Sequence, residues 1–465
     1  MSPLPSPSAF APLAEPFPAP DMAAWVELAR KTLKGAEPQT LERRTPDGLI
    51  IRPLYTGEDA LCGLAPRTVA WDIRARVAAG PGANADALEA LDAGAASLLV
   101  EAFDGGVDLS AALEGVLTDL APVALEAGFA GVSAANALDE AAKASPAAPL
   151  AFHLDPLGTF ARTGFSPGPL SAHLESVGDL AARLRQTYPR ASFVLASGGV
   201  AHEAGASPSD EIAFAAAAAV AYLRALERAG VGPSEAAPLF VFGLAADAEP
   251  LATIPKLRAG RRVFERILAA AGAAPQAKIE ARSSRRMLTR ADAWTNLIRL
   301  TSASFGAAVG GADAIVLDTF DAAAPQTPSP LAIRQTRNIQ LVLAEESGLR
   351  GLPDPASGAY ALEALSEDLA RAAWVRFQTI EAAGGLVAAL QSGLIATRLA
   401  EARAALRAEL AAGERRIVGV THFEGEQPPP APPPRPQPAL PQAARLAGPD
   451  DHCEPLEPIR LEDLV

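Results

Sequence analysis

Ser192-Phe-Val-Leu-Ala-Ser-Gly-Gly-Val-Ala-His-Glu-Ala-Gly205, followed by Ser207-Pro-Ser-Asp-Glu211 and an alanine-rich run closing at Gly230, is a strand, a turn and a helix in direct succession. The apolar run 192–198 is short, rich in β-type residues and stopped by a glycine pair, which reads as a buried strand. Ser207 is placed to cap the helix that follows, Pro208 suits its first position, and Asp210 and Glu211 favour its positive end. The interior Phe214 to Leu226 is almost pure alanine, which predicts a helix lying close against a wall of strands.

Working outward, the same alternation recurs. Apolar β-type runs at 69–75, 96–103, 129–135, 149–154, 192–198, 238–244, 277–283 and 313–319 are separated by helical stretches. Eight strand–helix units imply parallel strands with right-handed crossovers, and eight is the number that closes a (β/α)8 TIM barrel. The fold class is therefore α/β, with extra C-terminal helices near 329–348, 359–383 and 385–412. At the other end, a Pro/Ala arm precedes an amphipathic helix from Asp21, its candidate cap, to Leu33, before Gly35. The glycine pair Gly310-Gly311 reads as a turn before the last strand.

Composition shifts at Glu424, and Gln427 to Pro436 contains a run that cannot form helix or sheet and predicts an extended spacer. The expected organisation is an arm and first helix (1–40), the barrel with its added helices (41–424), and a Pro-rich linker or tail (425–465).

The chain has 465 residues, 49% of them apolar but only 5% aromatic, with a net charge of −14. The acidic balance argues against a nucleic-acid or anionic-membrane partner. Cys62 and Cys453 cannot make a disulfide framework or a cysteine zinc site, and residues 1–20 lack a secretory signal, so a cytoplasmic protein is expected. The histidines, His153, His173, His202, His422 and His452, show no metal-ligand spacing, and neither a phosphate-binding loop nor a serine nucleophile elbow occurs.

Chemistry-bearing residues gather after two strands. His202 and Glu203 follow the fifth strand and are acid/base candidates at the barrel's C-terminal face, the alternative being a solvated pair on a Gly-rich turn. Arg282, Arg285 and Arg286 follow the seventh and either grip the phosphates of an anionic ligand such as a coenzyme A ester or are ordinary solvated charges.

Pro53-Leu-Tyr-Thr56, Trp71-Asp-Ile-Arg74, His202-Glu-Ala-Gly-Ala206, Lys256-Leu-Arg-Ala-Gly-Arg261, Asn338-Ile-Gln-Leu-Val-Leu-Ala-Glu-Glu-Ser347 and Asp354-Pro-Ala-Ser-Gly-Ala-Tyr360 occur in that order. This series resembles the barrel domain of methylmalonyl-CoA mutases over roughly residues 40–420. The resemblance implies an eight-stranded barrel around an acyl-CoA, with adenosylcobalamin presented by a separate domain for radical rearrangement of the carbon skeleton. Four departures qualify it. Where catalytic members read Ser-Gly-Tyr-His, this chain has Ser197, Gly198, Gly199 and Val200, so the substrate-facing His is missing. Leu61 to Val69 has none of the tyrosines of catalytic members, and Arg282 to Met287 replaces their His-Ser-Gln-Thr-Ser-Gly. The cobalamin pattern D-x-H-x-x-G begins at Asp450-Asp-His452 but has Pro455 in place of Gly, and too few residues follow for a cofactor domain.

Such a barrel looks like the small subunit of heterodimeric mutases. That reading expects no catalytic, cofactor or metal residues here, a degenerate site at Gly199 and Val200, and adenosylcobalamin and acyl-CoA on a catalytic large subunit. It also expects the N-terminal arm, through Phe10 and Phe17, to grip that partner. The competing reading is a catalytic barrel working with a separate cobalamin-binding chain; a CoA-ester chaperone is a third. Of the apolar strand residues Leu98, Leu99, Val194, Leu195, Val241, Ile315 and Val316, alternation should send about half to the axis, which predicts a channel partly or wholly plugged by branched side chains.

Overall fold

The computed structural model describes residues 21–59, 70–78, 80–103, 108–324, 328–424 and 451–465. The arm with Phe10 and Phe17, the whole of Leu61 to Val69, and the Pro-rich stretch 425–450 lie outside them. Two short strands, β1 (Arg43–Arg44) and β2 (Ile50–Ile51), form an antiparallel ladder ahead of the barrel. The barrel strands are β3 (Asp72–Ala78), β4 (Ser97–Glu101), β5 (Val123–Glu126), β6 (Ala151–Leu154), β7 (Ser192–Ser197), β8 (Phe240–Ala246), β9 (Ile279–Ser283) and β10 (Ala314–Val316). They close in sequence order, β10 pairing with β3, and every pairing is parallel. This is the expected (β/α)8 barrel.

One strand lies elsewhere than expected. Residues 129–135 are not a strand: a 3-10 turn at Gly128–Ala130 runs into the helix Gly131–Ala141, and the strand is the shorter Val123–Glu126 upstream. Val-Ala-Leu-Glu is a helix-favouring tetrapeptide held in a strand by its neighbours β4 and β6, so tertiary pairing overrides local preference.

The helix Pro208–Arg228 is capped as expected, the Ser207 hydroxyl accepting from the Asp210 amide. Ala213 and Ala215 to Ala219 are fully buried, because the helix is enclosed between β7 and β8 and the outer helix Tyr360–Ala382. Small side chains are what such close approach needs. On the adjacent helix Leu170–Leu184, a Cβ added at Gly178 would stand 2.7 Å from the Ala225 carbonyl oxygen. The first helix, Met22–Thr32, takes its predicted cap from Asp21, and Gly311, in the left-handed region, makes the predicted turn. Among the described residues no helix is long and apolar enough to cross a membrane.

Alternation along the strands sorts side chains into two sets. Ile73, Leu98, Val100, Val123, Leu125, Phe152, Val194, Phe242, Ile279 and Ile315 join the main core between strands and helices. Leu99, Ala124, Ala151 and Val316 form a separate small cluster inside the barrel. The expected division of the apolar strand residues between the two faces is present. Of the seven residues named, Leu98, Val194 and Ile315 face the helices and Leu99 and Val316 the lumen, where other inward positions are largely charged.

Candidate functional site

Inside the barrel, Asp72, Arg74 and Arg76 occupy alternate positions of β3 and point to the axis with Glu101, Glu126, Glu280, Arg282 and Asp318. Arg74 Nη1 lies 2.5 Å from Glu280 Oε2 and Arg76 Nη1 2.8 Å from Glu126 Oε2. Arg282 joins Glu126 Oε1 at 3.0 Å and Glu280 Oε1 at 2.7 Å. Because β5 and β9 are not neighbours, the Glu126–Arg282 pair crosses the lumen. Burial alone would raise the pKa of Glu126, but Arg282 and Arg76 hold it well below the carboxylate range; Arg282 and His153 do the same for Glu280. His153, with φ at +45°, stands 3.8 Å from Glu280, and burial lowers its pKa to about 4. It is a neutral histidine in the wall of an ionic lattice.

At the C-terminal face the turn after β7 continues as a short helix, Gly199–Glu203. Gly198 is required here: a Cβ would stand 2.2 Å from the Glu211 carbonyl oxygen. Val200 is 7% exposed and its aliphatic side chain belongs to the main core.

His202 turns inward. Its Nδ1 lies 3.1 Å from Glu211 Oε2 and its Nε2 2.8 Å from Ser284 Oγ. Lys256 Nζ donates to the same Glu211 oxygen at 2.7 Å, and the Ala245 amide to the other oxygen at 2.5 Å. Burial, with Arg286 nearby, depresses the His202 pKa to about 4, while Lys256 and His202 outweigh burial to hold Glu211 at about 2. The solvated-pair alternative is overturned for His202, which is 1% exposed. With both His202 ring nitrogens and both Glu211 oxygens bonded, this cluster ties β7, β8 and β9 together. Glu203 lies beside it: Oε1 accepts from the Arg285 amide at 2.9 Å, and burial raises its pKa to about 7.

The arginines are committed to this chain's own acids. Arg282 is in the lumen lattice, Arg285 bonds Asp318 through Nε at 3.0 Å and Nη2 at 2.8 Å, and Arg286 bonds Asp247 and the carbonyls of His202 and Ala206. Only Arg285 is largely open to solvent. Sequence reasoning missed Glu211, Lys256 and the lattice. The signal for the lattice was present in Asp72-Ile-Arg-Ala-Arg76, whose three charges alternate with apolar residues and so must share the inward face.

A profile of the methylmalonyl-CoA mutase family matches residues 72–447. The chain belongs to the methylmalonyl-CoA mutase family. Among its relatives in the family, the methylmalonyl-CoA mutase small subunit of Streptomyces virginiae is 38% identical over 414 residues, covering 83% of this chain and 66% of the relative. The probable methylmalonyl-CoA mutase small subunit of Mycobacterium bovis is 36% identical over 428 residues, covering 85% and 68%. That of Propionibacterium freudenreichii subsp. shermanii is 32% identical over 451 residues, covering 88% and 70%. The chain thus spans about two-thirds of the length of these methylmalonyl-CoA mutase small subunits.

Proposed function

We propose that this chain is the small, non-catalytic subunit of a heterodimeric, adenosylcobalamin-dependent methylmalonyl-CoA mutase, a cytoplasmic isomerase whose large subunit carries the acyl-CoA and the cobalamin. The observation that carries the reading is Val200, packed into the core where catalytic relatives are expected to present a histidine. A valine side chain has no proton to donate and no lone pair to accept one. The lumen supports the same reading, because the Arg74–Glu280–Arg282–Glu126–Arg76 lattice occupies the axis with charges paired to one another.

The residues present do not fit a cobalamin on this chain. His452 of the incomplete D-x-H pattern lies on the C-terminal segment opposite Phe165, the Asp451 carboxylate accepts from the Leu170 amide, and Pro455 stands where the pattern needs glycine. No step is therefore routed through the cofactor here. What the chain supplies is a rigid barrel as a surface for the large subunit.

The test is binding. Titration calorimetry of the isolated chain with adenosylcobalamin and with methylmalonyl-CoA is expected to show no saturable binding, and the co-expressed large subunit is expected to copurify in equal amount. Saturable binding of either ligand by this chain alone would return the reading to a catalytic barrel served by a separate cobalamin chain.

A further inference from the structure

We propose that residues 451–465 are a detachable strap, an intramolecular peptide ligand seated in a groove built for an extended segment across the C-terminal face of the barrel. The segment crosses loops that follow three different strands. Cys453 N–H donates to the Gly164 carbonyl at 2.9 Å and Leu456 N–H to Ala161 at 2.8 Å, both after β6. Ile459 N–H donates to Glu203 at 2.8 Å, after β7, and Leu461 N–H to Arg286 at 2.9 Å, after β9. The two ends are pinned by carboxylates. Asp451 Oδ1 accepts from the Leu170 amide at 2.9 Å, capping a helix whose own preceding residue, Pro169, offers no side-chain cap. Glu462 accepts from the Arg290 amide at 2.9 Å and pairs with its guanidinium, as does Asp463.

The seat is shallow. Only Asp451, Leu456 and Leu461 are buried in the whole segment, the leucines spaced five residues apart, and the rest is exposed or half-buried. The donors are never the prolines: Pro455 and Pro458, which have no N–H, fall between them and stiffen the strand in its bound form. Main-chain bonds plus two leucine anchors are the recognition pattern of an extended peptide on a groove. Residues 425–450, ten of them proline, tether the strap to the barrel, which keeps its local concentration high and lets a weak contact stay closed. Release would bare the row of carbonyls at Ala161, Gly164, Glu203 and Arg286. The inference does not depend on the mutase reading.

The experiment uses the full chain with a protease site placed within 425–450, cut after purification, and a synthetic peptide of residues 450–465. Hydrogen exchange is followed at the Ser166, Leu170 and Arg290 amides, whose acceptors are Asp451 and Glu462. The uncut chain should protect all three. After cutting and dilution, the strap should leave the barrel and exchange should rise at least tenfold, to be reversed by excess peptide but not by a peptide carrying Leu456→Asp and Leu461→Asp. If the cut segment stays bound through gel filtration at nanomolar concentration with exchange unchanged, it is an integral part of the core and the proposal fails. If exchange rises and the peptide does not restore protection, the groove is not a peptide site and the proposal fails equally.

Discussion

Replacing Glu211 by Gln tests whether the buried cluster after β7 holds the barrel together. Glu211 is fully buried, and its carboxylate serves Lys256, His202 and the Ala245 amide at once. The amide is nearly isosteric, so the change removes charge and leaves the shape. Lys256, 3% exposed, is then an ammonium that has lost its bonded counter-ion, with only the more distant Asp247 left, and breaking such a buried pair costs about 3–5 kcal/mol. An independent route gives a similar size: holding Glu211 at about 2 rather than 4.5 corresponds to roughly 3 kcal/mol of folding free energy. At roughly 2.1 cal/mol/K per residue the unfolding entropy of this chain is about 1 kcal/mol/K, so Tm should fall by about 3–5 °C. Urea unfolding followed by circular dichroism reads the free energy directly. The companion is Glu211→Gln with Lys256→Met, which removes both charges and should recover most of the loss. A single-variant loss under about 1 kcal/mol, or a double variant no better than the single, would refute the idea that an uncompensated buried charge is the source.

Other consequences follow from the same geometry. Glu203 has its pKa raised to about 7 by burial, so the folded protein holds a proton there that the unfolded chain has lost above about 4.5, and this group's contribution falls as pH rises between those values. His202 and His153, lowered to about 4, act oppositely and lose stability as pH falls from about 6.5. Glu203→Gln should therefore steepen the rise in stability between pH 4.5 and 6.5 by up to about 1.4 kcal/mol per pH unit, measured by urea melts across that range; parallel curves for the two proteins would reject the assignment. Gly198→Ala places a methyl against the Glu211 carbonyl and should cost about 1–3 kcal/mol in the same melts, whereas a neutral result would mean that the turn relaxes freely. Deleting residues 1–20 should weaken association with the large subunit while leaving Tm nearly unchanged, and equal affinity by calorimetry would exclude the arm as a contact.

The barrel was legible because its strand–helix alternation repeats eight times, and a single misplaced strand does not change the count. That strand, Val123–Glu126, was hidden because its residues favour helix and only the pairing with β4 and β6 makes them β. The proposed degenerate site was raised by Gly199 and Val200, two departures inside a motif. The surroundings of His202 were not: Glu211 is nine residues on, Lys256 forty-five further, and Ser284 on the far side of β9, and only closure of the barrel brings them together. The charged lattice of the lumen went unread for a different reason. The reading followed the apolar strand residues, half of them expected inward, and passed over Asp72, Arg74 and Arg76, whose alternation gives the phase for β3.

The most direct test of the non-catalytic reading is turnover. Purified chain, supplied with methylmalonyl-CoA and adenosylcobalamin, is assayed for succinyl-CoA, as wild type and as Val200→His, alone and with the co-expressed large subunit. The expected result is no product from the chain alone in either form, because one restored side chain does not rebuild a site whose groups act together, and activity only in samples containing the large subunit. Succinyl-CoA formed by the wild-type chain alone would contradict the account.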